Sequence, residues 1–239
     1  MIWSPAAGSI ALLTTGGWGS AMLVGLARSL TIALGAFGLG LLIGIAGALG
    51  KLSGGAVTRQ ALDLYTTIVR SVPELVLILV VYFAGADLIN GVLTALGQAK
   101  IDFNGAIAGI VVLGVVQGAY STEVIRGAIL SVPRGQIEAA QAYGMSSWLA
   151  LRRITLPALL PFALPGLSNL WLIAMKDTAL LAVLGFGELT QVTRQAAGTT
   201  KAYFTFFFAA GCMYLLATMI SNLLSRRLEA RATRGTAHV

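Results

Sequence analysis

The chain has 239 residues, 57% of them hydrophobic and 10% charged, with a mean hydropathy of +0.85. A soluble domain needs more charge than this to cover its surface, so the composition excludes an ordinary soluble enzyme and points to an integral membrane protein. The net charge of +7 does not signal nucleic acid: the basic residues flank apolar runs, and no segment interleaves aromatic and basic residues as a platform for single strands.

The opening MIWSPAAGSIALLTTGG has no Lys or Arg ahead of its apolar part. A cleavable signal peptide normally has a basic n-region, so this stretch reads as a retained tail at the outer interface, anchored by Trp3 and Trp18. Residues 29–50 are uncharged and long enough to cross a core of roughly 30 Å, and Lys51 marks the exit. A second span is expected over 64–86, carrying Arg70, Pro73 and Glu74 in its first half. Arg70 and Glu74 stand four apart on one helical face, which suits either a structural ion pair or a role in gating, and Pro73 is placed to kink the helix between them.

A third span is expected over 104–125, with Gln117 and Glu123 towards its end. The fourth, over 156–175, contains Pro157, Pro161 and Pro165 and should enter the membrane irregularly or kinked. The apolar run from Thr178 to Gly187 is too short to span and reads as a half-buried or re-entrant element. The fifth span is expected over 202–224. Together they make an all-α integral membrane protein, a single transmembrane domain over 1–239 with about five spans. One cysteine, Cys212, gives no disulfide framework, and the single histidine, His238, sits in the tail, so a histidine metal site or catalytic histidine is not expected.

With five spans, Lys51, Arg59, Arg126, Arg134, Arg152, Arg153, Arg226, Arg227, Arg231 and Arg234 fall on one side. Arg28, Lys100, Lys176, Arg194 and Lys201 fall on the other. The bias places the N-terminus outside and the C-terminus in the cytoplasm, and with it the loop over 126–155. That loop reads as two short helices. Ile137, Ala140, Gly144, Trp148 and Leu151 approximate one helical stripe with a small middle. Alternatively Gly144 closes the first helix, and Ser146 or Ser147 caps the second. Arg152 and Arg153 then suit the end of the second helix, and Pro157 permits a sharp change of direction into the bilayer.

The pattern E-A-A, three residues, G, nine residues, I-x-L-P is met by Glu138, Ala139, Ala140, Gly144, Ile154, Leu156 and Pro157. It resembles the cytoplasmic signature loop of permeases from bacterial binding-protein-dependent ABC importers. RSVPELVLI from Arg70 and KDTALLAVLG from Lys176 resemble segments of the polar amino-acid branch of that family. Within the branch the chain looks most like the Q-type subunits of histidine, lysine, arginine and ornithine importers and their octopine and nopaline relatives. The resemblance implies a type I ABC importer permease fold in the bacterial inner membrane. It implies a coupling-helix loop in which Glu138, Ala139, Ala140, Gly144, Ser147, Arg152, Arg153 and Pro157 meet an ATPase. The implied partners are a second permease subunit, related but different or else identical, two copies of the ABC ATPase, a periplasmic or extracellular solute-binding protein, an amino-acid ligand and the lipid bilayer.

The chain has no G-x-x-x-x-G-K-[ST] phosphate loop, so it is not expected to be an enzyme, and ATP and Mg are expected on the partner ATPase. Polar groups inside a membrane are costly and so mark a solute path. The candidates are Gln117, Glu123, Asn169, Lys176, Asp177 and Thr178, the last four near the outer end of span four. The expected function is import of polar, basic amino acids or related opines. A glutamine or glutamate permease of the same family is the near alternative. An ion-gradient-driven secondary transporter is the distant one, but such proteins often carry an internal repeat and none is visible here. A non-transport membrane scaffold would bind partners without solute-dependent ATP turnover.

Overall fold

The computed structural model describes residues 12–14, 17–101 and 105–232. Trp3, Asn104, Arg234 and His238 lie outside the described residues. Among the described residues, five helical segments are long and apolar enough to cross a membrane. The elements are α1 (Trp18–Ser53), α2 (Ala56–Ser71), α3 (Glu74–Ala95), α4 (Gly105–Leu130), α5 (Arg134–Ala142), α6 (Ser147–Ala150), α7 (Leu156–Asp177), α8 (Leu189–Thr200) and α9 (Tyr203–Ala232). A π-turn over Leu151–Thr155 joins α6 to α7, and a 3₁₀ turn over Thr178–Leu184 extends α7.

The second span departs from its expected form. Instead of one kinked helix over 64–86, the chain makes the amphipathic α2 and the apolar α3, broken at Val72 and Pro73. A proline disfavours helical geometry in the residue before it, and Val72 is extended at φ −98° and ψ 140°. Glu74 then opens α3, where a carboxylate suits the positive end of the helix dipole. Beyond the expected limit of 86, α3 continues to Ala95. The first span is likewise longer than 29–50, with Trp18 as its first helical residue.

The fourth span also changes shape. Helical structure runs through from Ser147 to Leu184, beyond both ends of the expected 156–175. Pro157 lies in the first turn of α7, where its missing N–H costs little, whereas Pro161 and Pro165 lie inside the helix. Pro157 cannot donate to the Arg153 carbonyl one turn back, and that residue lies within the π-turn, where the helix is loosened. The apolar run from Thr178 is therefore the tight end of this pass rather than a separate re-entrant element. The loop expected over 126–155 is correspondingly shorter, since α4 extends to Leu130 and α6 already begins the fourth pass.

The centre of the bundle is the contact between α1 and α4, which run parallel. A side chain at Gly40 would strike Gln117, and one at Gly44 would strike Ser121, so the contact advances equally along both helices. Glycine at these two positions lets the backbones approach closely, as small residues do between membrane helices. An apolar core of Ile32, Ala36, Ile78, Val112, Leu113, Leu181 and Phe186 ties α1, α3, α4 and the 3₁₀ turn together. A second, around Met22, Leu189, Ala196, Ala197 and Phe206, joins α1, α8 and α9. The bundle thus has a Lys51 end, where α1 and α4 finish, and a Glu188 end, where α8 begins.

Candidate functional site

Three polar clusters lie along the bundle, and they differ in how fully their charges are matched. The first is halfway along α4. Gln117 is 1% exposed, and its Nε2 donates to Oδ2 of Asp177 at 3.3 Å. Its Oε1 is buried without a partner among the described residues, and so is Oγ of Ser121 one turn further on. Glu74, at the start of α3, stands beside Asp177 and Tyr120. Two half-buried carboxyl groups are therefore neighbours at this level of the bundle. Buried polar atoms are nearly always hydrogen-bonded, so the orphaned amide oxygen of Gln117 beside two acids leaves an acceptor open to a donor.

Asp177 was expected near the outer end of span four. The 3₁₀ turn carries that pass on to Leu184, which leaves Asp177 half-buried against Gln117, seven residues short of its end. Lys176 is exposed next to it. Thr178 is fully buried, but its hydroxyl donates to the Met175 carbonyl, a local helix contact. Asn169 is exposed two turns earlier on α7. Of the expected solute-path residues, Gln117 and Asp177 come together. Glu74, read from the sequence as structural or gating, joins them.

Glu123 belongs to a second cluster, at the Lys51 end. The Lys51 side chain is 5% exposed and makes ion pairs of 2.7 Å with both Asp63 and Glu123. Its Nζ also donates to Oγ1 of Thr66 at 2.6 Å. The other oxygen of Glu123 accepts from Arg126 at 3.0 Å. One lysine thus clasps α1, α2 and α4 together. In the sequence Lys51 reads only as a boundary marker, because nothing local shows that Glu123, far along the chain, returns to it. Beside the clasp is a cavity of about 440 Å³, also bordered by Arg70. The anticipated ion pair between Arg70 and Glu74 is not formed, because the break at Pro73 puts them on different helices.

The third cluster, at the Glu188 end, is closed. Glu188 is fully buried and caps α8, accepting from the amides of Thr190 at 2.8 Å and Gln191 at 2.7 Å. Tyr214 and Ser29 donate to the same carboxylate at 3.0 and 3.3 Å. Burial pushes this carboxyl up, and the four donors pull against it. A group so enclosed cannot dock an external protein.

In the loop after α4, Pro133 precedes α5 and Gly144 follows it with φ at 72°. That left-handed backbone favours glycine and ends the helix, so Ile137 to Leu151 do not form one continuous stripe. Oγ of Ser146, not Ser147, caps α6 by accepting from the Leu149 amide at 3.4 Å. Ala140 is buried against the rest of the loop, while Glu138, Ala139, Ser147, Arg152, Arg153 and Pro157 are exposed. Tyr143 is 87% and Trp148 69% exposed, an outward pair of large aromatics on a short rigid platform.

The bundle, its broken second pass and this platform describe a multi-span membrane protein, and comparison with known proteins identifies its class. The sequence model of the binding-protein-dependent transport system inner membrane component family matches residues 36–234, and the chain belongs to that family. It is a multi-pass inner-membrane permease subunit of an ABC importer of the amino-acid and opine branch. Such subunits are not enzymes, because ATP is hydrolysed by a separate subunit.

The chain is 39% identical over 222 residues to the octopine transport system permease protein OccQ of Rhizobium radiobacter, covering 92% of this chain and 93% of the relative. It is 40% identical over 219 residues to the histidine/lysine/arginine/ornithine permease protein HisQ of Salmonella typhimurium, covering 92% and 96%. Among solved structures, an amino acid ABC transporter crystallised with histidines superposes with a TM-score of 0.78 at 26% identity, over 97% of this chain and all of that one. The inward-facing MetNI methionine transporter shares the fold alone, with a TM-score of 0.70 at 19% identity over 89% and 96%.

Proposed function

We propose that this permease carries amino acids with a cationic side chain, or opines built from them, and that the acidic pair of Glu74 and Asp177 receives the cation. The observation that carries this reading is the pair itself, with the unpartnered Oε1 of Gln117 beside it. A guanidinium brings five N–H donors and a positive charge to a place that has acceptors to spare. An anionic side chain such as glutamate would meet like charge there. The names of the relatives, which include histidine, lysine, arginine, ornithine and octopine systems, point the same way.

The Lys51 end, with Arg59, Arg126, Arg134, Arg152, Arg153, Arg226 and Arg227, is read as cytoplasmic from its basic residues. The platform of α5 and α6 is read as the ATPase docking surface. Tyr143 and Trp148 offer apolar contact, and Glu138, which has no partner among the described residues, offers a charge. Closure of the ATPase pair pushes on this platform, and the π-turn passes the displacement into α7, which carries Asp177. Coupling of this kind requires only that the two conformations differ in affinity for both nucleotide and solute. The complete importer is taken to contain a second permease subunit, two ATPase subunits and an external solute-binding protein.

The test is reconstitution of the chain with its copurifying subunits in proteoliposomes. Solute-stimulated ATP hydrolysis and uptake are scored across arginine, lysine, histidine, ornithine, octopine, glutamine and glutamate. Uptake confined to the cationic compounds and dependent on ATP is the expected outcome. Preference for glutamate, or uptake without an ATPase subunit, would remove the proposal.

A further inference from the structure

Helix α2 shows two different faces outward. Thr66 and Val69 are buried against the bundle. On the far side Val57, Ala61, Leu64 and Ile68, spaced four, three and four apart, form one exposed apolar stripe. Between the buried face and the stripe runs a polar face of Asp63, Thr67, Arg70 and Ser71, which borders the cavity at the Lys51 end. That cavity has a charge left over. Lys51, Arg70 and Arg126 border it against only two carboxylates, Asp63 and Glu123. Lys51 bridges both carboxylates. Arg126 gives Nε and Nη2 to one oxygen of Glu123, which leaves Nη1 unengaged among the described residues. Arg70 makes no ion pair among the described residues.

One positive charge is in excess, and a phosphodiester carries one negative charge. Arginine suits it, because the guanidinium fork pairs with two phosphate oxygens at once. The hydroxyls of Thr67 and Ser71 add neutral donors beside Arg70. The stripe indicates what the phosphate is attached to, since Leu64 and Ile68 lie one turn from Thr67 and Ser71 on the helix surface. An exposed apolar stripe on a membrane protein meets acyl chains, and a basic pocket between helices on the cytoplasmic side receives headgroups. We propose that this cavity binds the phosphate of an anionic phospholipid between Arg70 of α2 and Arg126 of α4, with the acyl chains against Leu64 and Ile68. The lipid complements the clasp: Lys51 joins these helices through carboxylates, and the phosphate joins them through arginines. The site is separate from the acidic pair, since neither Glu74 nor Asp177 borders this cavity, and it does not depend on which solute is carried.

The experiment measures binding of phosphatidylglycerol and of phosphatidylcholine to the purified complex by native mass spectrometry. Wild type should bind the anionic lipid at least about tenfold more tightly than the zwitterionic one. Arg70→Gln should lower that preference about fivefold, the worth of one basic side chain at an anionic headgroup. Arg70→Lys should retain most of it, because lysine still serves a phosphate as a point charge. Arg231→Gln removes the same charge from α9, outside the cavity, and should leave the preference unchanged. Ile68→Ser should weaken both lipids together, and glycerol 1-phosphate should not displace the bound lipid. Displacement by glycerol 1-phosphate at concentrations matching the lipid would make the ligand a soluble phosphate and overturn the lipid assignment. Equal binding of the two lipids, as when a second subunit covers the stripe, overturns the site. A preference undiminished in Arg70→Gln, or lowered as much in Arg231→Gln, would reduce the effect to general surface attraction and overturn it too. Each of these results is read without solute, so the site and the proposed solute specificity fail independently.

Discussion

The acidic pair and the Lys51 clasp are built from the same residue types and put to opposite uses. In the clasp each carboxylate has a cation within 2.7 Å, and three helices are held by one side chain. In the acidic pair two carboxyl groups are neighbours, with one amide donor at 3.3 Å from Asp177 and an orphaned oxygen alongside. Matched charges inside a protein specify structure, whereas unmatched ones are an expense that persists when a ligand completes them. Charge-neutralising substitutions should therefore have opposite effects in the two places. In the clasp they should harm stability, and in the acidic pair they should harm transport.

The largest effect is expected at the acidic pair. Asp177→Asn should reduce arginine uptake by about ten- to a hundredfold, the worth of a charge-assisted hydrogen bond, with the melting temperature unchanged or raised. Next comes Lys51→Met, which leaves Asp63 and Glu123 facing each other without their cation. Removal of one partner from a buried pair costs about 3–5 kcal/mol, and the 58% exposure of the Asp63 side chain reduces this to roughly 2 kcal/mol. It should be read as a lowered melting temperature of the complex. Glu123→Gln keeps a hydrogen-bond acceptor and should cost about 1 kcal/mol. Arg126→Gln, at a side chain 36% exposed, should cost less than about 0.5 kcal/mol. An unchanged melting temperature in Lys51→Met, or a large fall in Asp177→Asn, would erase the distinction between the regions.

The loop gives a separate contrast between backbone and side-chain effects. Gly144→Ala forces a Cβ into the left-handed region at a local cost of roughly 1–2 kcal/mol, although nothing crowds the position within the chain. Uptake and solute-stimulated ATP hydrolysis should fall together as the platform loses its shape. Tyr143→Ala, which leaves the backbone intact, should weaken ATPase association and leave the permease as stable as before.

Much of the fold was legible because the spans announce themselves by length and apolarity, and the loop by its spacing. The breaks were harder to read. Pro73 was visible, but whether it kinks or severs a helix depends on what α3 packs against. The pass through Leu184 was hidden because a 3₁₀ turn draws apolar residues like any other short run. The position of Asp177 was misread for that reason alone. The pairing of Lys51 with Glu123 was not legible locally, since it depends on the parallel contact of α1 with α4. Gly40 and Gly44 were the available signal for that contact, as small residues spaced one turn apart.

The central claim is that the acidic pair recognises a cationic side chain, and the most direct measurement compares arginine with citrulline, its neutral near-isostere. ATP-dependent uptake of both should be followed in reconstituted wild type and in the double variant Glu74→Gln with Asp177→Asn. Wild type should prefer arginine by at least about tenfold, and the double variant should lose that preference while still hydrolysing ATP. An undiminished preference for arginine in the double variant would contradict the account.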